Sequence, residues 1–133
     1  MRRTKGSDQL TPLELEIMQV LWRTGPANVQ RVREELAPAR PLAYTTVQTM
    51  LNVLHRKGKV QRRLKERAYH YKPVLSRQKA VRSTLRDVID RFFGGSPESL
   101  VMSLVETRDL TPENLAEVKR LVDQKENDSH GTR

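Results

Sequence analysis

The sequence predicts a mainly α-helical protein in which three helices and a β-hairpin precede three further helices. Three observations predict this order. Helix start and stop signals recur six times along the chain, apolar residues follow each start at steps of three and four, and only between Gly58 and Pro73 does the period drop to two.

The first helix carries the fullest signal. In "LTPLELEIMQVLWRTGP", Thr11 is a predicted N-cap, Pro12 takes the first helical position, Glu14 completes a capping box, and Leu10 is placed to staple onto Leu15. Leu13, Ile17, Val20 and Leu21 form an apolar face that Leu15, Met18 and Trp22 widen, and Gly25-Pro26 stops the helix. Asn28 caps a short second helix with Val29, Val32 and Leu36 inward, ended by "APARP". The third, "AYTTVQTMLNVLHRKG", runs from Ala43 to a stop at Gly58, with Val47, Met50, Leu51 and Leu54 as its core face.

The next segment changes period. Val60, Arg62 and Leu64 alternate with Gln61 and Arg63, and Tyr69 to Lys72 alternate again beyond "KER", which predicts a β-hairpin whose tip lacks the usual Asn-Gly. After Pro73 the pattern is helical only. Ser76 opens a long helix through Phe93, closed by Gly94-Gly95; Ser96-Pro97 opens a shorter one, and Thr111-Pro112 opens the last. Their apolar stripes are wide, and the three helices together are too short to enclose a core alone. A second copy of the chain is the predicted cover, with Leu85, Val88, Ile89, Phe92, Phe93, Leu100, Val101, Leu104, Leu115, Val118 and Leu121 at the interface of a homodimer.

Charge divides the chain in the same place. The net charge is +9, and residues 1–75 hold all of it, with 15 Lys and Arg against 6 Asp and Glu, while residues 76–133 hold 10 of each. A basic module joined to a neutral one predicts that the first meets a polyanion. With no cysteine there is no disulfide, thiolate metal site or redox thiol. The absence of an 18-residue apolar run and of a charged-then-apolar leader predicts no membrane insertion and a cytoplasmic protein.

Helix, helix, helix, hairpin is the order of a winged helix-turn-helix, with the second and third helices as the DNA-reading pair and the hairpin as the wing. On a wheel of about 100° per residue, Thr45, Thr49, Asn52 and Arg56 lie opposite the core face of the third helix, with Thr46 and Gln48 on its shoulders. Residues 43–54 contain no charge, whereas an idle solvated face usually carries Glu and Lys. Thr45, Thr46, Gln48, Thr49 and Asn52 are therefore the candidate base readers of double-stranded DNA. Thr45 and Gln48 also have capping-box spacing, so folding back onto the helix start is a second reading of that pair. Arg56, Lys57, Lys59, Arg62, Arg63, Lys65 and Arg67 are the candidate phosphate binders; guarding an exposed strand edge is the alternative role for such cations.

Nothing in the chain points to catalysis. His55, His70 and His130 lack metal-ligand spacing, Asp87 and Asp90 read as a solvated helix face, and P-loop, nucleophile-elbow and HExxH motifs are absent. No metal or cofactor is expected. A winged helix serving as an adaptor for an acidic protein partner is the competing function.

From about Leu10 to Lys125 the chain resembles the penicillinase-repressor family of BlaI/MecI-type and copper-responsive regulators. The resemblance rests on "LTPLELEIMQVLW", "AYTTVQTMLNVLHRKG" followed by "ERAYHY", "FFGGSPESLVMSLVE" and "LTPENLAEVKRLV". It implies a winged-helix domain followed by a helical dimerisation domain. It further implies a homodimer on an inverted-repeat operator that represses transcription, often of resistance genes. The family's recognition helix falls on residues 43–57 and a wing arginine on Arg67. The copper branch carries C-terminal cysteine pairs that this chain lacks. The β-lactamase-regulating branch is inactivated, through a membrane sensor pathway, by cleavage of an Asn-Phe bond, and the matching pair here is Ser103-Leu104. The expected organisation is a flexible basic arm at 1–9, a winged-helix DNA-binding domain at 10–73, a helical dimerisation domain at 76–125 and a flexible tail at 126–133.

Overall fold

The computed structural model describes residues 9–131. The elements are α1 (Pro12–Thr24), α2 (Val29–Leu36), α3 (Tyr44–Arg56), β1 (Val60–Lys65), β2 (Ala68–Pro73), α4 (Arg77–Phe92), α5 (Pro97–Glu106) and α6 (Pro112–Gly131). The predicted arm lies almost entirely outside the described residues. The predicted tail does not hold as drawn, because α6 continues as helix to Gly131: residues 126–131 contain no proline and only a terminal glycine, so nothing breaks the helix at Lys125.

The chain divides into two units between Asp87 and Val88, within the span of α4. The first unit owns nearly all the buried apolar residues. Ile17, Met18 and Leu21 of α1, Val32 of α2, and Val47, Leu51 and Leu54 of α3 are completely enclosed. Val60 and Tyr71 of the hairpin close the same core, with Leu10, Leu13, Trp22, Leu42 and Met50 packed against it. Leu15 is exposed, so the wider apolar face predicted for α1 stops at Met18 and Trp22.

Local chemistry sets each junction. The Thr11–Glu14 capping box forms in both directions, with the Thr11 amide donating to Glu14 Oε1 at 2.9 Å and the Glu14 amide donating to Thr11 Oγ1 at 3.2 Å. The α3 helix ends in a Schellman turn: the Lys59 amide donates to the Leu54 carbonyl and the Gly58 amide to the His55 carbonyl. Gly58 has φ of 78°, a conformation that a residue without Cβ adopts at little cost, and this turn ends α3 and leads into β1.

The hairpin is antiparallel with Val60 opposite Pro73, Arg62 opposite Tyr71, Leu64 opposite Tyr69 and Lys65 opposite Ala68. Two residues, Glu66 and Arg67, make its turn with φ of 52° and 71°. Positive φ at both positions is the requirement of a type I′ turn, met here without glycine or asparagine. Tyr71 also exchanges backbone hydrogen bonds with Ala27, at 2.8 and 3.0 Å, which anchors β2 to the α1–α2 turn.

Among the described residues of the second unit only Ile89 is buried. Val88, Phe93, Leu100, Leu104 and Leu115 are half-buried, while Phe92, Val101, Met102, Val118, Leu121 and Val122 are exposed, Phe92 at 73%. Among the described residues no helix is long and apolar enough to cross a membrane.

Candidate nucleic-acid interface

Two ties hold the helix-turn-helix in register. Arg40, between α2 and α3, makes a bidentate pair with Glu16 of α1 at 2.6 and 2.7 Å, and Arg33 Nε donates to the Leu42 carbonyl at 3.0 Å. The reading helix that follows begins at Tyr44, with Ala43 as an N-cap that supplies no side-chain hydrogen bond. The expected Thr45–Gln48 capping box is therefore not formed. Thr45 lies inside the helix as its second residue, two positions past the N-cap, and both side chains are exposed.

Thr45, Thr46, Gln48 and Thr49 are exposed together along the first half of α3, with no acid in its first turn. An uncapped helix start with unpaired N–H groups and a positive dipole end suits an approaching phosphate. Tyr44, 44% exposed at the first position of α3, adjoins them in sequence and is not among the sequence-derived candidates. Its signal was an aromatic side chain off the apolar stripe of the wheel.

Asn52 departs from the expected outward stripe. It is half-buried, and its Oδ1 accepts from Tyr71 Oη at 3.0 Å and from Arg62 Nη1 at 3.1 Å. The hairpin folds back over this turn of α3, which a helical wheel does not represent. Arg62 in turn lies over the Tyr69 ring, 4.3 Å from its centroid. One amide on the reading helix thus carries the buried tyrosine and the first arginine of the wing.

The phosphate candidates divide by partner. Arg56, Arg63, Lys65 and Arg67 are exposed, and the turn presents Arg67 at the tip of the hairpin. Lys57 is exposed but pairs with the buried Glu14 at 2.6 Å, so its charge is already matched within the fold, and Lys59 is itself buried, only 5% exposed. Burial works to raise the Glu14 carboxyl, but the hydrogen bond from Lys57, the Thr11 amide and the Lys57 charge outweigh it and hold the group below the ordinary 4.5. Glu14 therefore joins the capping box of α1 to the C-terminal end of α3. Among the described residues no His, Asp and Glu cluster is placed to hold a metal ion.

The profile of the family described as penicillinase repressor matches residues 10–124. The chain belongs to the penicillinase repressor family. It is 27% identical over 123 residues to the penicillinase repressor of Bacillus licheniformis, covering 92% of this chain and 96% of that one. It is 37% identical over 100 residues to the transcriptional regulator BlaI of Mycobacterium tuberculosis, covering 74% and 72%. The solution structure of the DNA-binding domain of the repressor BlaI is similar with a TM-score of 0.50 at 29% identity, over 59% of this chain and 93% of that one. As a member of this family the chain is a winged-helix, DNA-binding transcriptional repressor, a regulator and not an enzyme.

Proposed function

We propose that the protein represses transcription as a homodimer on an inverted-repeat operator, controlling antibiotic-resistance or stress genes in the cytoplasm. The observation that carries this reading is one surface: an exposed, uncharged, polar start of α3 adjoining a hairpin of cations through Asn52. Thr45, Thr46, Gln48 and Thr49 read base edges, where threonine offers a methyl to thymine and glutamine pairs with adenine. Arg56, Arg62, Arg63, Lys65 and Arg67 bind phosphates, and Asn52 positions the wing instead of reading a base. Lys57 and Lys59 leave the set for the structural reasons given above.

The exposed stripe of the second unit supports the homodimer. Phe92, Val101, Val118 and Leu121 in water cost about 25 cal/mol per Å² of apolar surface, which a second copy relieves. Two-fold pairing sets the half-sites about one helical turn apart, on the order of 34–36 Å. For induction, an upstream sensor or protease acting at Ser103-Leu104 is the proposed route. Both residues are half-buried within α5, so cleavage requires that helix to open.

The test compares Thr49→Ala with Arg67→Ala on operator and random duplexes across a salt series. Thr49→Ala weakens operator binding more than random binding, and Arg67→Ala weakens both alike. Neutralising six to eight phosphates per dimer gives a log-log salt slope of roughly −5 to −7. A slope near zero, or identical effects of both variants on all sequences, overturns the proposal; binding to an acidic protein with no duplex binding at low salt would favour the adaptor.

A further inference from the structure

The two faces of the hairpin differ. Cross-strand partners share a face, so Arg62, Leu64, Tyr69 and Tyr71 lie on one side and Gln61, Arg63, Lys65, His70 and Lys72 on the other. The second side is not a plain solvated strand surface. With Pro26 of the α1–α2 turn and His55 near the end of α3 it walls a cleft of about 760 Å³. That volume lies within the ordinary range for small-molecule sites, roughly 300–1,000 Å³, and is far too small to admit a duplex.

The lining is chemically one-sided. Arg62, Arg63, Lys65 and Lys72 of the two strands line it, and the lining contains no carboxylate. A strand pair built only for stability would set opposite charges across from one another; here Arg63 faces His70 and Gln61 faces Lys72. Within this wall the Nδ1 atom of His70 is buried and has no hydrogen-bond partner among the described residues. A buried polar atom left without a partner costs about 1–3 kcal/mol.

We propose that this cleft binds a small molecule carrying adjacent phosphoryl groups, such as a di- or triphosphate, and that its occupancy antagonises DNA binding. The second clause rests on the repressor reading above. Arg62, Arg63 and Lys65 serve both the cleft and the duplex, so a bound polyphosphate neutralises cations that the DNA backbone requires. Lys72 and His70 serve the cleft alone.

The experiment titrates full-length protein with inorganic pyrophosphate at constant ionic strength, by calorimetry and by the imidazole NMR signals of His55 and His70. A 30-base-pair random duplex is then competed against pyrophosphate under the same conditions. Wild-type protein, the His70→Gln/Lys72→Met double variant, and Lys119→Ala, which removes a surface lysine from α6, are compared. Saturable binding that shifts both histidines, weakens at least tenfold in the double variant but not in Lys119→Ala, and releases duplex from wild type but not from the double variant establishes the site. Pyrophosphate effects that are unsaturable, or equal in all three proteins, reduce the cleft to diffuse screening and overturn the proposal. A double variant that loses duplex and pyrophosphate together shows that the cleft meets only the DNA backbone, which also overturns it. Duplex binding absent from every protein while the double variant still loses pyrophosphate refutes the repressor reading and with it the antagonism, and leaves the anion site standing.

Discussion

Replacing Asn52 separates a positioning role from a reading role. Its Oδ1 holds a part-buried hydrogen bond from Tyr71 and an exposed one from Arg62. Losing the first costs about 1 kcal/mol, and losing the second, discounted because the Arg62 side chain lies in solvent, adds a few tenths. Asn52→Ala is therefore expected to destabilise the first unit by about 1–2 kcal/mol, a fall of roughly 4–8 °C in Tm per kcal/mol for a domain of this size. Asn52→Asp keeps an acceptor for both donors and gains charge attraction to Arg62, so its stability stays near wild type. Its DNA affinity falls on every sequence, with the salt slope reduced by about one, because the wing cation is now neutralised. Thermal denaturation followed by circular dichroism and duplex binding by fluorescence anisotropy measure the two effects. A base-reading Asn52 would behave oppositely: Asn52→Ala would leave Tm unchanged and cost about 1–3 kcal/mol at one operator base pair only. That outcome would refute the positioning role.

Three further substitutions probe other joints. Arg67→Gly relieves a φ of 71° at the hairpin turn and removes a tip cation, so chemical denaturation should show a gain of about 0.5–1 kcal/mol while duplex affinity drops; a loss of stability would mean the Arg67 side chain contributes to folding. Glu14 titrates below 4.5 in the folded protein, so its contribution is present above the unfolded value near 4.5 and is lost as the pH falls through the lower folded value. Glu14→Gln should cost about 1–2 kcal/mol at pH 7 and flatten the stability profile below pH 4.5, and an unchanged acid limb would refute this. Phe92→Asp places a charge on the exposed stripe of the second unit. Each Phe92 buried in a dimer contributes about 2–3 kcal/mol, so light scattering should find a monomer at micromolar concentration, with Tm of the first unit retained. A stable dimer would put the interface elsewhere.

The exposure of side chains along α3 is legible where neighbours in sequence govern it. Thr45, Thr46, Gln48 and Thr49 were found from helical spacing and the lack of charge, and they are exposed as that spacing requires. Lys57 and Asn52 meet partners that local spacing does not show, because Glu14 lies 43 residues from Lys57 and Tyr71 lies 19 from Asn52. A count of cations cannot distinguish a lysine held by a distant carboxylate from one turned to solvent. The tip of the hairpin illustrates the same limit, since strand pairing imposed positive φ on Glu66 and Arg67 against their local preference.

By itself, the sequence determined the order of the elements, the caps that begin α1 and α2, the glycine turn that ends α3, and the concentration of positive charge in the first 75 residues. These follow from backbone hydrogen bonding and side-chain periodicity within a few residues, where a propensity or a cap acts locally. Only the tertiary structure decided that Asn52 holds the wing, that Lys57 serves Glu14, and that one hairpin face walls a basic cleft. Each of those outcomes depends on which distant groups the folded core brings within hydrogen-bond reach, and that proximity is a property of packing.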